Sequence, residues 1–140
     1  MNWRLEVVPV PVSDVNAALM FYQEGLGFNL DFDLDDQAGS ATRVIQLTPP
    51  GSGCSIQIGP GRATMPPGSL KGLQLVVPDL LTARAELTAR GVVVSPIVVF
   101  DDRGQQRLYQ EGEDLNNVGV MYLEDPDGNS WTLQQITDRP

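Results

Sequence analysis

The chain has 140 residues, 41% of them hydrophobic, which is enough for one ordinary domain or for two small modules that share a core. Its nine Lys and Arg stand against 18 Asp and Glu, and the net charge of −9 argues strongly against nucleic acid or an anionic membrane as a partner. Histidine is absent, which excludes a Ser-His-Asp triad, a histidine general base and a histidine metal ligand.

Three further features concern the cellular compartment. The apolar runs are of strand length, so we expect no segment that crosses a membrane. The first ten residues lack the basic start and apolar middle of a secretory signal. The single cysteine, Cys54, has no partner for an intramolecular disulfide. We therefore expect a cytoplasmic protein in which Cys54 is simply packed.

The first half of the chain predicts a strand, a helix and three further strands. Apolar side chains recur at helical spacing in the helix, and they follow Ser13 or Asp14, either of which can cap its first amides. Gly25 or Gly27 can end it. The expected strand and helix cover residues 5–12 and 15–22, and the three strands cover 29–33, 42–48 and 55–58.

The second half repeats this plan. Asp79 can cap a helix and Gly91 can end it. The expected elements are a strand over 73–77, a helix over 80–90, and strands over 92–100, 117–124 and 131–135. We predict a single domain over residues 1–140, made of one repeat at about 3–59, a proline- and glycine-rich linker at 60–69, and a second repeat at about 70–136.

Residues 101–116 form a second irregular region. It carries two arginines, a tyrosine and a run of acidic residues, and it is longer than a hairpin turn requires. Two interpretations stay open at this point: a lid over a pocket, or a mobile acidic loop.

Several short motifs occur in a specific order along nearly the whole chain. They are PVSD at 11–14, FY at 21–22, GLGF at 25–28, VPD at 77–79 and DPDGN at 125–129. Together they resemble the vicinal oxygen chelate superfamily, the group of glyoxalase I, bleomycin resistance proteins and extradiol dioxygenases. The resemblance implies an α+β fold of two βαβββ modules, whose cupped mixed β-sheets enclose a cavity. It also implies a homodimer.

The resemblance further implies four positions at which metal-using members carry their ligands. In this sequence they fall on Val7, Gln46, Gly72 and Thr132. Two of these residues have no donor side chain, and the other two offer only neutral oxygens. We therefore expect no divalent metal cofactor, and we predict that the four residues contribute to a ligand-binding cavity.

Three other residues are candidates for the site. The resemblance places Tyr122 where extradiol dioxygenases carry an active-site tyrosine, and strand alternation puts Glu124 on the same face, so this pair could take part in proton transfer. Trp131 could form an aromatic wall for a ligand. For Tyr122 and Trp131, packing in the core stays open as the alternative.

The sequence leaves three functions open. The preferred one is a metal-free protein of the bleomycin-resistance type, which sequesters a small molecule, with cationic and aromatic compounds as the candidates. The alternative is a lyase, isomerase or dioxygenase with a histidine-free site built from Glu6, Gln46 and Glu124. The third is a structural or regulatory dimer with a filled interior.

Overall fold

The structure is a computed structural model, which describes residues 1–34 and 40–138. The chain divides into two compact units. Unit 1 comprises Met1–Leu70 together with Asp125–Asn129, and unit 2 comprises Lys71–Glu124 together with Ser130–Pro140.

Unit 1 contains one mixed sheet, called here the first sheet, and one helical segment. Its elements are β1 (Val7–Pro9), helix α1 (Val15–Met20), a π-helical turn (Phe21–Gly25), β2 (Asn29–Leu34), β3 (Val44–Thr48) and β4 (Ser55–Ile58). The strand order is β1-β4-β3-β2, with β1 parallel to β4 and the other pairs antiparallel.

Helix α1 begins where the sequence predicts and then changes its winding. The carboxylate of Asp14 accepts a hydrogen bond from the Ala17 amide at 3.1 Å, which caps the first turn. The predicted helix over 15–22 is α-helical only to Met20. Beyond it, the Leu26 amide donates to the carbonyl of Phe21 at 2.9 Å, an i to i+5 bond that defines a π-turn.

The core of unit 1 lies on one face of the first sheet. Strand alternation brings Ile45 and Leu47 of β3 to the same face as Ile56 and Ile58 of β4, and all four are buried. The buried apolar residues of this unit also include Val10, Ala18, Tyr22 and Phe28. The opposite face of this sheet therefore carries its polar side chains.

Unit 2 contains a second mixed sheet and one longer helix. Its elements are β5 (Leu73–Val77), α2 (Leu80–Ala89), β6 (Val98–Phe100), β7 (Gln106–Leu108), β8 (Gly119–Glu124) and β9 (Ser130–Gln135). The strand order is β5-β9-β8-β6-β7, and β5 is parallel to β9. The Thr82 amide donates to Asp79 at 3.1 Å, and this bond is the main cause that lowers the pKa of the Asp79 carboxyl.

Four predicted strands are shorter in the structure than expected: those predicted over 42–48 and 117–124 begin two residues later, at Val44 and Gly119, and two others lose more. The strand expected over 92–100 begins only at Val98, because Pro96 has no amide to donate and the Ser95 hydroxyl instead accepts from the Tyr122 amide at 2.8 Å. The strand expected over 5–12 is confined to Val7–Pro9. Strand β7 was not predicted; it lies inside the region 101–116 and adds an edge strand to the second sheet.

The architecture confirms the predicted α+β class and the plan of two βαβββ modules, with β7 as an addition to the second module. No helix within the described ranges is long and apolar enough to span a membrane.

Candidate functional site

The polar side of the first sheet forms a connected surface, called here the first polar face. It consists of Asp31, Gln46, Thr48, Ser55, Gln57 and Arg62. Gln46 and Gln57 are direct partners in the β3–β4 register, so their side chains lie next to each other on this face.

Asp31 anchors one end of the first polar face. It lies where the β2–β3 register shifts, and this irregularity turns its carboxylate towards β3. The carboxylate accepts from Gln46 Nε2 at 3.2 Å and from the Thr48 hydroxyl. The Thr48 hydroxyl also lies 2.7 Å from the Ser55 hydroxyl. The carboxylate is thus held at the surface by neutral donors.

The other end of the face is a guanidinium group. Gln57 Nε2 donates to Gln46 Oε1 at 2.9 Å, and Arg62 Nη2 donates to Gln57 Oε1 at 2.5 Å. The amides therefore have fixed orientations along a chain from Asp31 to Arg62. Such a surface presents aligned donors and acceptors, with an anion at one end and a cation at the other, to a polar organic molecule.

The neighbouring Asp33 is not part of this face. It pairs with Ile45 across the strands, which places it on the buried side of the sheet. There its carboxylate forms a bidentate pair with Arg43, at 3.1 Å to Nε and 2.8 Å to Nη2. Arg43 Nη1 also donates to the Asn16 side chain at 2.9 Å. Asp33 therefore stabilises unit 1, whereas Asp31 remains on the polar side.

Val7 shares the first polar face with Gln46. It pairs with Ser55 in the parallel β1–β4 ladder, and alternation along β4 brings Ser55 and Gln57 to one side. Glu6 directly precedes β1. Glu6 and Gln46 together would offer a metal ion only one carboxylate and one neutral amide oxygen.

Unit 2 has a comparable surface, called here the second polar face. It consists of Gln74, Gln106, Tyr122, Thr132 and Gln134. Thr132 pairs with Gln74 in β5 and with Tyr122 in β8. The Tyr122 hydroxyl accepts from Gln106 Nε2 at 2.6 Å, and Gln74 Nε2 donates to Gln134 Oε1. Tyr122 and Thr132, which the sequence singled out, are thus neighbours here.

Gly72 provides open space rather than a side chain. Its amide donates to Ser130 at 2.8 Å to the hydroxyl and at 3.1 Å to the carbonyl. A Cβ built at this position would meet no atom within 4 Å. Glu124 pairs with Ser130 at the end of the β8–β9 ladder, and its side chain is exposed.

Trp131 lies apart from the second polar face. It is adjacent to Thr132 in β9, so its side chain points to the other side of the sheet, where it pairs with Leu123 and is only 3% exposed. The structure therefore brings Tyr122 and Thr132 together on the polar side and places Trp131 among the buried residues.

The residues at the four expected ligand positions do not fit a divalent metal ion. Val7 and Gly72 contribute no donor, Gln46 is already bonded to Asp31 and Gln57, and Thr132 is neutral. Within residues 1–34 and 40–138, no cluster of three or more Cys, Asp or Glu side chains is arranged to hold a metal. The donor set lacks the charge and the geometry that such an ion requires.

The region 101–116 contains a well-defined ion pair. Arg107 donates to both carboxylate oxygens of Glu113, at 2.7 and 2.5 Å, and the Gln110 amide donates to the same carboxylate at 2.7 Å. The guanidinium is the larger cause and the amide the second, and together they lower the pKa of Glu113 to about 2.

Sequence reasoning missed Thr48, Ser55 and Gln57 as members of the first polar face. The signal was present, because polar residues alternate with buried ones along β3 and β4. Asp31 could not be placed on this face from the sequence, because simple strand alternation does not predict the register shift that turns its carboxylate towards β3.

Comparison with known proteins identifies relatives over almost the whole chain. The family model described as "Glyoxalase/Bleomycin resistance protein/Dioxygenase superfamily" matches residues 4–133. Among curated proteins there is no significant match.

Three solved structures are similar over nearly their full length. TnmS3, described as an antibiotic binding protein from Streptomyces sp. CB03234, is 32% identical, with a TM-score of 0.71 and coverage of 96% of this chain and 97% of that one. A glyoxalase/bleomycin resistance protein from the same strain is 33% identical, with a TM-score of 0.68 and coverage of 94% and 100%. A superfamily member from Sphaerobacter thermophilus DSM 20745 is 27% identical, with a TM-score of 0.69 and coverage of 96% and 98%.

Proposed function

Because the chain belongs to the glyoxalase/bleomycin resistance protein/dioxygenase superfamily, we propose that it binds a small organic molecule of the antibiotic type and leaves it chemically unchanged. The first polar face is the observation that carries this proposal. Its amides, hydroxyls, carboxylate and guanidinium form a continuous network. Such a network suits recognition by hydrogen bonds better than bond making.

The second polar face supports the same function. Tyr122 combines an aromatic ring with a hydroxyl oriented by Gln106, and its neighbour Thr132 adds a small polar group. Gly72 leaves open space where a side chain would otherwise stand. These features suit a ligand with a planar or aromatic part.

The ligand class follows from the charges. Asp31 provides a carboxylate on the first polar face, and the chain carries a net charge of −9. A ligand with an amine or guanidine group would replace the weak Gln46 contact with a charge-assisted bond. The antibiotic-binding description of TnmS3, at 32% identity, supports a ligand of antibiotic size.

The proposal includes binding without a metal. The residues at the four expected positions offer no charged donor, as described above. An enzyme with a histidine-free metal site is the less favoured function, because Glu6 would be the one carboxylate beside the neutral side chain of Gln46.

We also propose a homodimer in the cytoplasm. Exposed apolar side chains in the N-terminal segment, Trp3 at 88% and Leu5 at 70%, support a surface that becomes covered on assembly. The single cysteine is compatible with a reducing compartment. Sedimentation equilibrium of the wild-type protein and of a Trp3→Ser, Leu5→Ser variant tests the assembly, and two monomeric species would refute it.

A ligand screen tests the proposed function. The untagged protein is heated with cationic glycopeptide antibiotics and with planar aromatic antibiotics, and any stabilised complex is measured by calorimetry. A ligand that binds only the folded state raises the melting temperature. High-resolution mass spectrometry of the recovered ligand should show an unchanged mass.

Matched variants locate the binding. For a cationic ligand, Asp31→Asn should weaken binding about tenfold, equivalent to about 1.4 kcal/mol. Asp102→Asn removes the same charge from an exposed position outside both polar faces and should leave affinity unchanged. Equal losses in the two variants, or a panel in which no compound raises the melting temperature, would count against the proposal.

A further inference from the structure

Unit 2 contains an open pocket that belongs to neither polar face. Its volume is about 380 Å³, and it lies where helix α2 meets the edge formed by β6 and β7. Its lining consists of Leu81, Arg84, Pro96, Ile97, Leu108 and Tyr109. Five of these residues present apolar or aromatic surface, and one carries a positive charge.

Arg84 is held in place by one of its nitrogens. Its Nε donates to the carbonyl of Ser95 at 3.1 Å, and the residue is half-buried. In the part of the chain that the structure describes, its two terminal nitrogens have no hydrogen-bond partner. The guanidinium is therefore oriented by the fold while its outer donors stay available to a ligand.

Tyr109 is positioned against the same pocket. Its amide donates to the carbonyl of Ile97 at 3.0 Å, and its hydroxyl accepts from the Gly112 amide at 3.2 Å. Because the hydroxyl oxygen acts as the acceptor there, its proton remains free to donate elsewhere. Tyr109 thus supplies a second donor together with an aromatic surface.

One acidic group of the 101–116 region is held in an ion pair. Glu113 is engaged by both terminal nitrogens of Arg107 and by the Gln110 amide. This pairing reduces the repulsion that an approaching anion would meet from that carboxylate. Leu81 and Leu108 are 49% and 65% exposed, so the pocket walls present apolar area that a ligand would cover.

We propose that this pocket binds a small organic anion, with a carboxylate on Arg84 and an aromatic or apolar body against Leu81, Leu108 and Tyr109. The volume lies at the lower end of the range for small-molecule sites. The charge of Arg84 is complementary to a carboxylate, and its planar guanidinium can bind both carboxylate oxygens. The residues that line the pocket are different from those that form the two polar faces.

An isosteric pair of probes tests the role of charge. The ¹⁵N-labelled protein is titrated with 2-naphthoate and with neutral 2-naphthamide, and amide shifts are followed by NMR. We expect 2-naphthoate to shift the backbone amide signals of Arg84, Ile97, Leu108 and Tyr109. It should bind about tenfold more tightly than 2-naphthamide. No binding of 2-naphthoate at millimolar concentration, or equal affinity for both probes, would overturn the proposal.

Variants in α2 and β7 complete the test. Arg84→Gln should lower the affinity for 2-naphthoate about tenfold and leave that for 2-naphthamide unchanged. Arg90→Gln removes the same charge from the exposed end of α2 and should have no effect. Because Arg84 also bonds Ser95, Leu108→Glu provides a second variant at an exposed wall, and it should repel 2-naphthoate without unfolding the protein.

The residues whose NMR signals shift show whether 2-naphthoate binds in this pocket or on the polar faces of the proposed function. Asp31→Asn should leave 2-naphthoate binding intact, since Asp31 belongs to unit 1 and is not among the pocket residues. Shifts centred on Gln46 or Thr132, or an equal loss in Arg90→Gln, would show that the pocket is not the site.

Discussion

The hydroxyl of Tyr22 donates to Oδ2 of Asp125 at 2.7 Å, across 103 residues of sequence, and both side chains are buried. The same carboxylate accepts from the Asn129 side chain at 2.8 Å and from the amides of Asp127 and Asn129 at 2.9 Å. The DPDGN turn is therefore fixed by a carboxylate whose partners are all within unit 1. This motif serves stability, as its turn chemistry suggests.

Removal of the Tyr22 hydroxyl should destabilise the fold. Tyr22→Phe deletes one charge-assisted bond to a buried carboxylate, and we expect the free energy of unfolding to fall by about 2 kcal/mol. Urea titration followed by fluorescence measures the loss. Tyr122→Phe is the control, because its hydroxyl is bonded to the exposed Gln106 side chain, and it should cost less than about 0.5 kcal/mol. An equal loss of unfolding free energy in both variants would show that the bond to Asp125 contributes no more to stability than the bond to Gln106.

A glycine beside the same turn should tolerate no side chain. Gly68 has φ of +78°, and a Cβ there would overlap the carbonyl oxygen of Asp127. We expect Gly68→Ala to lower the free energy of unfolding by about 3 kcal/mol, since backbone strain and overlap act together. Gly61→Ala is the matched control in unit 1, because Gly61 has φ of +77° but open space around it. It should cost only about 1 kcal/mol. Similar melting temperatures for the two variants would contradict this account.

The order of the elements could be predicted from the sequence because each helix has a local start signal. Asp14 and Asp79 cap α1 and α2 as expected. The strand ends were less predictable, since a strand requires partners that lie far away in the sequence. Residues 92–97 are apolar enough for a strand, and the Ser95 amide does donate to the Tyr122 carbonyl of β8 at 2.9 Å, but Pro96 has no amide with which to continue the ladder.

The site was predictable only in part. Strand alternation places Tyr122 and Glu124 on one side of β8. The pairing of Tyr122 with Thr132 follows from the β8–β9 hairpin. The same rule, applied to Trp131 and Thr132, would have separated them, because adjacent residues point to opposite faces. Contacts such as Arg62 with Gln57 depend on the path of a loop, which periodicity does not describe.

The Arg107–Glu113 pair predicts an unusual titration. The pKa of Glu113 is lowered from its ordinary 4.5 to about 2, so its charge favours the folded state above the ordinary value. That contribution should fade as the pH drops from about 4.5 to about 2. NMR of ¹³C-labelled carboxyl groups should give a midpoint near 2 in the wild type. Arg107→Gln should return the midpoint towards 4.5, whereas Arg103→Gln should not. A wild-type midpoint near 4.5 would show that the pair does not persist in solution.

The protein should retain little divalent metal. Val7, Gln46, Gly72 and Thr132 occupy the positions where the superfamily resemblance implies ligands, and none provides a carboxylate, an imidazole or a thiolate. Neutral oxygens alone bind divalent ions too weakly to survive dilution and dialysis. We therefore expect the untagged protein to retain far less than one metal per chain after incubation with Mn²⁺, Fe²⁺, Zn²⁺ or Mg²⁺, measured by elemental analysis.

Ligand binding shows whether a protein with a low metal content is still functional. A sample treated with a chelator should bind the ligand found by the antibiotic screen as tightly as an untreated sample, because the polar faces act through protein donors and acceptors. Near one metal per chain, together with ligand affinity that disappears on chelation and returns with one particular ion, would place the ligand on a metal. The four positions would then have been misassigned, and the search would move to carboxylates such as Asp31 and Glu124.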